Sequence, residues 1–225
     1  MKFLIVVAHP DDEVLGAGAS IYKWIKNGHS VDVCIMSSEA KARQFRPEDK
    51  ELQNNTDESL RYLGVNNIYR ADFPNIEMNT VPHLHLVQFI EKTLQVSAPD
   101  IVITHHSSDT NNDHVQTSKA CQAAVRLFQR RTDMKRIKEV WYMEVPSSTE
   151  WNIDNPSDAF HPNCFVEIGV DGVRAKSEAL AKYRGVMRAY PHPRSEEYLK
   201  SLACMRGSQW GLEYAEAFQV AIREF

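Results

Sequence analysis

Short runs of consecutive apolar residues alternate along this chain with longer segments whose apolar residues recur every three or four positions. Phe3-Leu4-Ile5-Val6-Val7-Ala8 has no polar position through which a face could meet water, so it predicts a strand covered on both sides. Residues 14–25 follow with helical spacing and predict a helix packed on that strand. The same alternation continues. Strands are predicted at 31–36, 67–74, 100–104, 138–146 and 164–168, and helices at 48–63, 81–96, 115–129, 172–187 and 198–205. Gly28, Gly64 and Pro99 supply stops. Leu212, Ala215 and Phe218 extend the helical spacing, so 211–218 is read as a further helix. Strands alternating with helices describe one α/β domain over residues 1–225, and in open sheets of this class ligands bind at the carboxyl ends of the strands.

Two strands end in chemistry. The first runs into His9-Pro10-Asp11-Asp12-Glu13. Pro10 suits a first helical turn, and Asp11 and Asp12 can accept from its unpaired N–H groups, but capping does not ask for His9. His9 and Asp12 are three apart and can face one side of a tight turn while Asp11 points elsewhere, which gives two possible metal ligands and a spare carboxylate. The strand at 100–104 runs into ten polar residues, His105 to His114. Asp113 is placed to cap the next helix, leaving His114 in its first turn as a possible third ligand. Two histidines and one carboxylate with an open position are the plan of a hydrolytic zinc site, and also of an iron(II) facial triad.

Composition narrows the picture. With 43% hydrophobic and 25% charged residues, the 225-residue chain can bury a full core. A net charge of −4 gives no support to broad nucleic-acid binding. No apolar run is long enough to span a bilayer, and the stretch before His9 is too short for a secretory signal, so a cytoplasmic protein is expected, with no membrane partner. Cys34, Cys121, Cys164 and Cys204 form no C-x-x-C pair and read as buried reduced thiols. His83 and His85 read as surface or packing residues. A basic run with Lys41, Arg43 and Arg46 follows the second strand at the presumed ligand edge, either as a solvated loop or as a phosphate contact. A Ser/Asn/Pro-rich segment, 147–162, is expected to cross the surface. Pro191-His192-Pro193-Arg194-Ser195 makes a stiff corner bearing His192 and Arg194. A dinucleotide-dependent dehydrogenase is excluded, because the first strand leads into His-Pro-Asp-Asp where a glycine-rich turn is required.

The motif His9-Pro10-Asp11-Asp12-Glu13, the Asp113-His114 pair before a helix and the Pro-His-Pro-Arg-Ser segment together resemble the LmbE/PIG-L family of zinc-dependent de-N-acetylases, over nearly the whole chain. The resemblance implies a single Rossmann-like three-layer domain with a mostly parallel sheet, helices on both faces and no nucleotide cofactor. It implies a metal, Zn2+ with Fe2+ or another divalent ion as alternatives, on His9, Asp12 and His114, with Asp11 as general base. Many members carry a further histidine where this chain has Asn111. Asparagine can donate to an oxyanion but cannot shuttle a proton, so either Asp11 serves in both directions or another group is the acid, with His192, His105 and His106 as the candidates. The implied activity is hydrolysis of an acetamido sugar, in a carbohydrate-biosynthesis branch. Arg43 and Arg194 are expected to bind a nucleotide-linked or phosphorylated form of it. The alternative is a catalytically inactive sugar-binding or regulatory member of the same fold. Oligomeric state is not legible.

Overall fold

The computed structural model describes residues 1–39, 47–153 and 158–224. Phe3, Ile5 and Val7 of strand β1 (Lys2–Val7) point into one apolar cluster, and Leu4 and Val6 into another. That division makes three layers: a strand with no polar face needs a helix layer on each side. The first cluster takes residues from helices α1 (Asp12–Lys26), α2 (Asp49–Leu63), α5 (Gly169–Ala181) and α6 (Glu196–Ser208). The second takes residues from α3 (His83–Ser97) and α4 (Asn112–Ala124). Among the described residues no helix is long and apolar enough to cross a membrane.

The other strands are β2 (Ser30–Ile35), β3 (Asn67–Arg70), β4 (Ile101–His105), β5 (Glu139–Met143), β6 (Cys164–Glu167) and β7 (Ala215–Arg223). They form one seven-stranded sheet of order β3-β2-β1-β4-β5-β7-β6. The first five are mutually parallel, and β7 is antiparallel to both β5 and β6. β1 lies between β2 and β4, so the connections leave it toward opposite sides of the sheet. Such a switch point opens a crevice at the strands' carboxyl ends. His9 and His105 stand on either side of it, at the ends of β1 and β4.

Three sequence expectations change here. Residues 211–218 are not a helix: Gly211 turns the chain at φ 72° and β7 follows. Glu216, Phe218 and Val220 face the α1 side at strand period, Phe218 in the first cluster and Val220 against it. The place between β5 and β6, which only a strand can fill, overrides the helical spacing. The segment 147–162 does not simply cross the surface, since Ser148 and Thr149 are buried. Of the four thiols, Cys34 and Cys121 are buried, Cys164 is half-buried and Cys204 is exposed.

β7 is fastened to α1 by one carboxylate. Glu216 accepts from the N–H of Ala19 (3.2 Å) and of Ser20 (2.7 Å), and pairs with Lys176 Nζ at 2.6 Å. Gly16 of α1 allows a close approach to β5, because a Cβ there would overlap Met143 Sδ. Glu216→Ala would leave the largely buried Lys176 and two N–H groups without their acceptor. It is expected to lower stability by about 3–5 kcal/mol, read from urea unfolding midpoints; a loss under about 1 kcal/mol would show the pair to be solvated.

Candidate metal centre

Asp12 opens α1, and its Oδ2 is the meeting point of the site. It accepts from the backbone N–H of His9 at 2.9 Å, closing the turn after β1. The same oxygen lies 3.3 Å from His9 Nδ1 and 3.2 Å from His114 Nε2. All three side chains are buried, and their ligand atoms lie within 4.8 Å of one another, an arrangement that could hold a metal ion. His9 and Asp12 share a side, and the first turn of α4 brings His114 to them across the switch point.

Each imidazole is held from behind. His9 Nε2 lies 2.9 Å from Asp113 Oδ2, and His114 Nδ1 lies 3.1 Å from Asp109 Oδ2. Carboxylates in that position fix ring orientation and tautomer at metal sites. Asp113 is therefore not the helix cap. Asn111 takes that role, its side chain accepting from the Asp113 N–H at 2.9 Å. Asp113 instead also accepts from the N–H groups of Ile76 and Met78, tying the loop after β3 to His9. Asp109 accepts from the hydroxyls of Ser148 and Thr149 and from the Asn111 N–H. The second grouping able to hold an ion, His105, Asp109 and His114, has those Asp109 oxygens engaged, and His105 Nε2 accepts from the Ala8 N–H at 2.8 Å.

Charge follows from this geometry. Burial opposes a charge on His114, but Asp12 and Asp109 outweigh it and lift its pKa to about 10. Burial also works against His9, and the bonds to Asp113 and Asp12 raise it nonetheless. Asp12, despite its burial, is held well below the usual carboxylate range by His114, His9 and His105. Three buried carboxylates thus surround the imidazoles and favour positive charge among them. His105, stacked on His114 at 3.9 Å, is pushed to about 3 by burial and by the His114 charge.

Asp11 is buried beside this cluster in a left-handed conformation, φ 103°. Arg194 Nη1 donates to its Oδ2 at 3.3 Å, and Arg194 Nε donates to Ser147 Oγ at 2.9 Å. The spare carboxylate and the arginine of the stiff corner are thus brought together. His192 is exposed, accepts from the Arg194 N–H on Nδ1, and has its pKa lowered by burial and by Arg194 and Arg188. His106 is buried against Tyr142 and Phe160 and bonded to Ser108, outside both groupings. Lys41, Arg43 and Arg46 lie outside the described residues. Sequence reasoning missed Glu13, which accepts from the Asp11 N–H and is lifted to about 8, chiefly by burial. It also missed Asp109 and Ser147–Thr149 as supports; the run of ten polar residues was the available signal.

Sheet order and site together describe a doubly wound α/β protein carrying a histidine–carboxylate cluster at its switch point. The chain belongs to the GlcNAc-PI de-N-acetylase (PIG-L) family, whose profile matches residues 4–125. It is 25% identical over 189 residues to the uncharacterized deacetylase YaiS of Escherichia coli K12, covering 80% of this chain and 89% of that one. The N,N'-diacetylchitobiose deacetylase of Pyrococcus horikoshii superimposes with a TM-score of 0.78 at 22% identity, covering 98% of this chain and 84% of that one. GalB, a 4-carboxy-2-hydroxymuconate hydratase of Pseudomonas putida KT2440, also gives 0.78, at 19% identity and coverage of 100% and 98%. At such identities these structures speak for the fold, which hosts both a deacetylase and a hydratase, so the reaction has to be argued from the site.

The depressed His105 sets a pH dependence. Below about pH 6.5 the unfolded chain protonates this histidine while the folded chain holds it neutral down to about 3. Stability should therefore fall as pH drops through that window, by up to about 1.4 kcal/mol per pH unit. His105→Gln is expected to flatten that slope in urea titrations between about pH 5 and 7; an unchanged slope would refute the assignment.

Proposed function

We propose that this protein is a metal-dependent hydrolase that removes the N-acetyl group of an acetamido sugar, giving a free amine and acetate. The observation that carries the reading is the convergence of His9 Nδ1, Asp12 Oδ2 and His114 Nε2, with both imidazoles backed by carboxylates and Asp11 buried beside them with its carboxylate bonded to Arg194. The donor set fits a divalent cation: two imidazole nitrogens and one carboxylate oxygen, set among further buried carboxylates. Zinc suits these ligands, and iron(II) or another divalent ion would also be accepted. The names of YaiS and the chitobiose deacetylase favour deacetylation over the hydration named for GalB.

When bound by His9, Asp12 and His114, such an ion supplies a Lewis acid that polarises the acetyl carbonyl and acidifies a water. Asp11 takes the proton of the attacking water, its carboxylate oriented by Arg194. Asn111 has its amide oxygen engaged in capping α4, which leaves its NH2 group to donate toward the carbonyl oxygen as negative charge develops there. The departing amine takes a proton from the protonated Asp11 or from His192. Arg194, shared between Asp11 and Ser147, and Arg43 are the proposed contacts to a phosphorylated or nucleotide-linked sugar. A cytoplasmic setting, where activated sugars are made, belongs to the same reading.

Purified protein supplied with zinc is expected to release acetate from an acetamido sugar or its nucleotide conjugate, to lose the activity to a chelator and to regain it with metal. No acetate from any member of such a panel would sink the reading. His114→Ala should remain folded by circular dichroism yet lose the metal, because two ligands do not hold it; full occupancy by elemental analysis would refute the ligand set. Asp11→Asn should keep the metal and lose on the order of 10²-fold in turnover, and wild-type turnover in a loaded Asp11→Asn protein would count against the base.

A further inference from the structure

Asp11 must keep a conformation that its own chemistry does not favour. At φ 103° and ψ −26° it lies in the left-handed region, which costs a non-glycine residue on the order of 1–3 kcal/mol and persists only where its surroundings over-determine it. Its carbonyl accepts from the N–H groups of Val14 (3.1 Å) and Leu15 (2.8 Å), as the start of α1 requires. Its own N–H, turned away by the positive φ, donates to Glu13 Oε2 at 3.1 Å. Glu13 in turn is fully buried, and its other oxygen accepts from the hydroxyl of Tyr183, which is equally buried just beyond the end of α5.

We infer that Glu13 and Tyr183 are positioning residues that hold Asp11 in its left-handed conformation and so aim its carboxylate at the reacting water. The inference rests on the reading of Asp11 as the base. A buried glutamate in a first helical turn is ordinarily accounted for by the helix dipole, but Glu13 spends one oxygen on the N–H of a residue outside the helix and the other on a hydroxyl from a different layer element. The chain thereby uses two consecutive acids to shape two alternate residues. Asp12 closes the turn on the His9 N–H, and Glu13 fixes Asp11. Arg194 holds the far end of the Asp11 side chain; loss of Glu13 takes the acceptor from the Asp11 N–H, so the left-handed φ loses a restraint and the carboxylate moves from its place beside the metal ligands. Tyr183 keeps Glu13 from rotating out of reach.

The test is a double-mutant cycle on the metal-loaded enzyme with an acetamido sugar, joined to amide hydrogen exchange at Asp11. Glu13→Ala should lower kcat by about 10- to 100-fold, the scale of a misplaced catalytic group, with KM and metal content unchanged and with the Asp11 amide losing its protection. Glu13→Gln, whose amide oxygen can accept the same N–H, should recover most of the loss. In the Asp11→Asn background Glu13→Ala should cost nothing further, because a residue acting through Asp11 has nothing left to act on. An equal cost in both backgrounds would overturn the inference, as would full kcat in a folded Glu13→Ala protein. If Glu13→Ala does not fold, Tyr183→Phe, which removes one hydroxyl, carries the same cycle with a smaller loss expected. Exchange at Asp11 needs no substrate. Absence of turnover in wild type would therefore overturn the reading of Asp11 as base, whereas an Asp11 amide equally protected in Glu13→Ala would overturn the positioning.

Discussion

One carboxylate oxygen, Asp12 Oδ2, is the point on which the molecule's two halves agree. It takes the His9 N–H and so determines how the chain leaves β1, and it faces imidazole nitrogens delivered from both sides of the switch point. In a buried interior, negative charge of this density is tolerated only where partners surround it. The parallel register of β1 with β4 supplies them by aligning the carboxyl ends of the two strands. A slip of that register would separate His9 from His114 and leave Asp12 buried with His9 as its remaining partner. Fold and site are for this reason one problem.

The cost of the arrangement is visible in the backbone. Among the described residues four non-glycine residues have positive φ, and three of them, Asp11, Ile76 and Ser147, are wired into the site. Ile76, a β-branched residue for which such a φ is a true outlier, gives its N–H to Asp113 behind His9. Ser147 receives Arg194 through its hydroxyl. The fourth, Ala98, merely ends α3. Strain gathered at the carboxyl edge, in loops from three different connections, is what a preorganised site requires.

Most of the architecture was legible because its signals are local. Apolar runs such as Phe3 to Ala8 could be nothing but doubly covered strands, and histidines after two of them named the edge where chemistry would lie. What sequence could not give was anything that depends on a partner brought from afar. β7 looked helical because alternation of Glu216, Phe218 and Val220 has meaning only once α1 offers N–H groups to Glu216. Asp113 looked like a cap because a cap is a local role, and its true partners, His9 and the Ile76 and Met78 N–H groups, come from two other connections. Glu13 drew no role from the sequence for the same reason; its partner Tyr183 comes from another helix layer element.

The insertion of β7 between β5 and β6 also fixes an order of assembly. β1 to β5 are joined by crossovers between strands that are neighbours or nearly so, and this half of the sheet can grow one unit at a time. β6 cannot: it meets the rest of the sheet only through β7, which comes later in the chain. Until then β5 presents an open edge, and pairing of such long sequence separation is the slow kind. Because Glu216 of β7 grips α1 at Ala19 and Ser20, the helix that begins at Asp12 is clamped only in that closing step. The corner encoded at the start of the chain acquires its rigidity from the strand encoded near the other end, so a chain halted before β7 would carry every proposed ligand and still lack the clamp that steadies them.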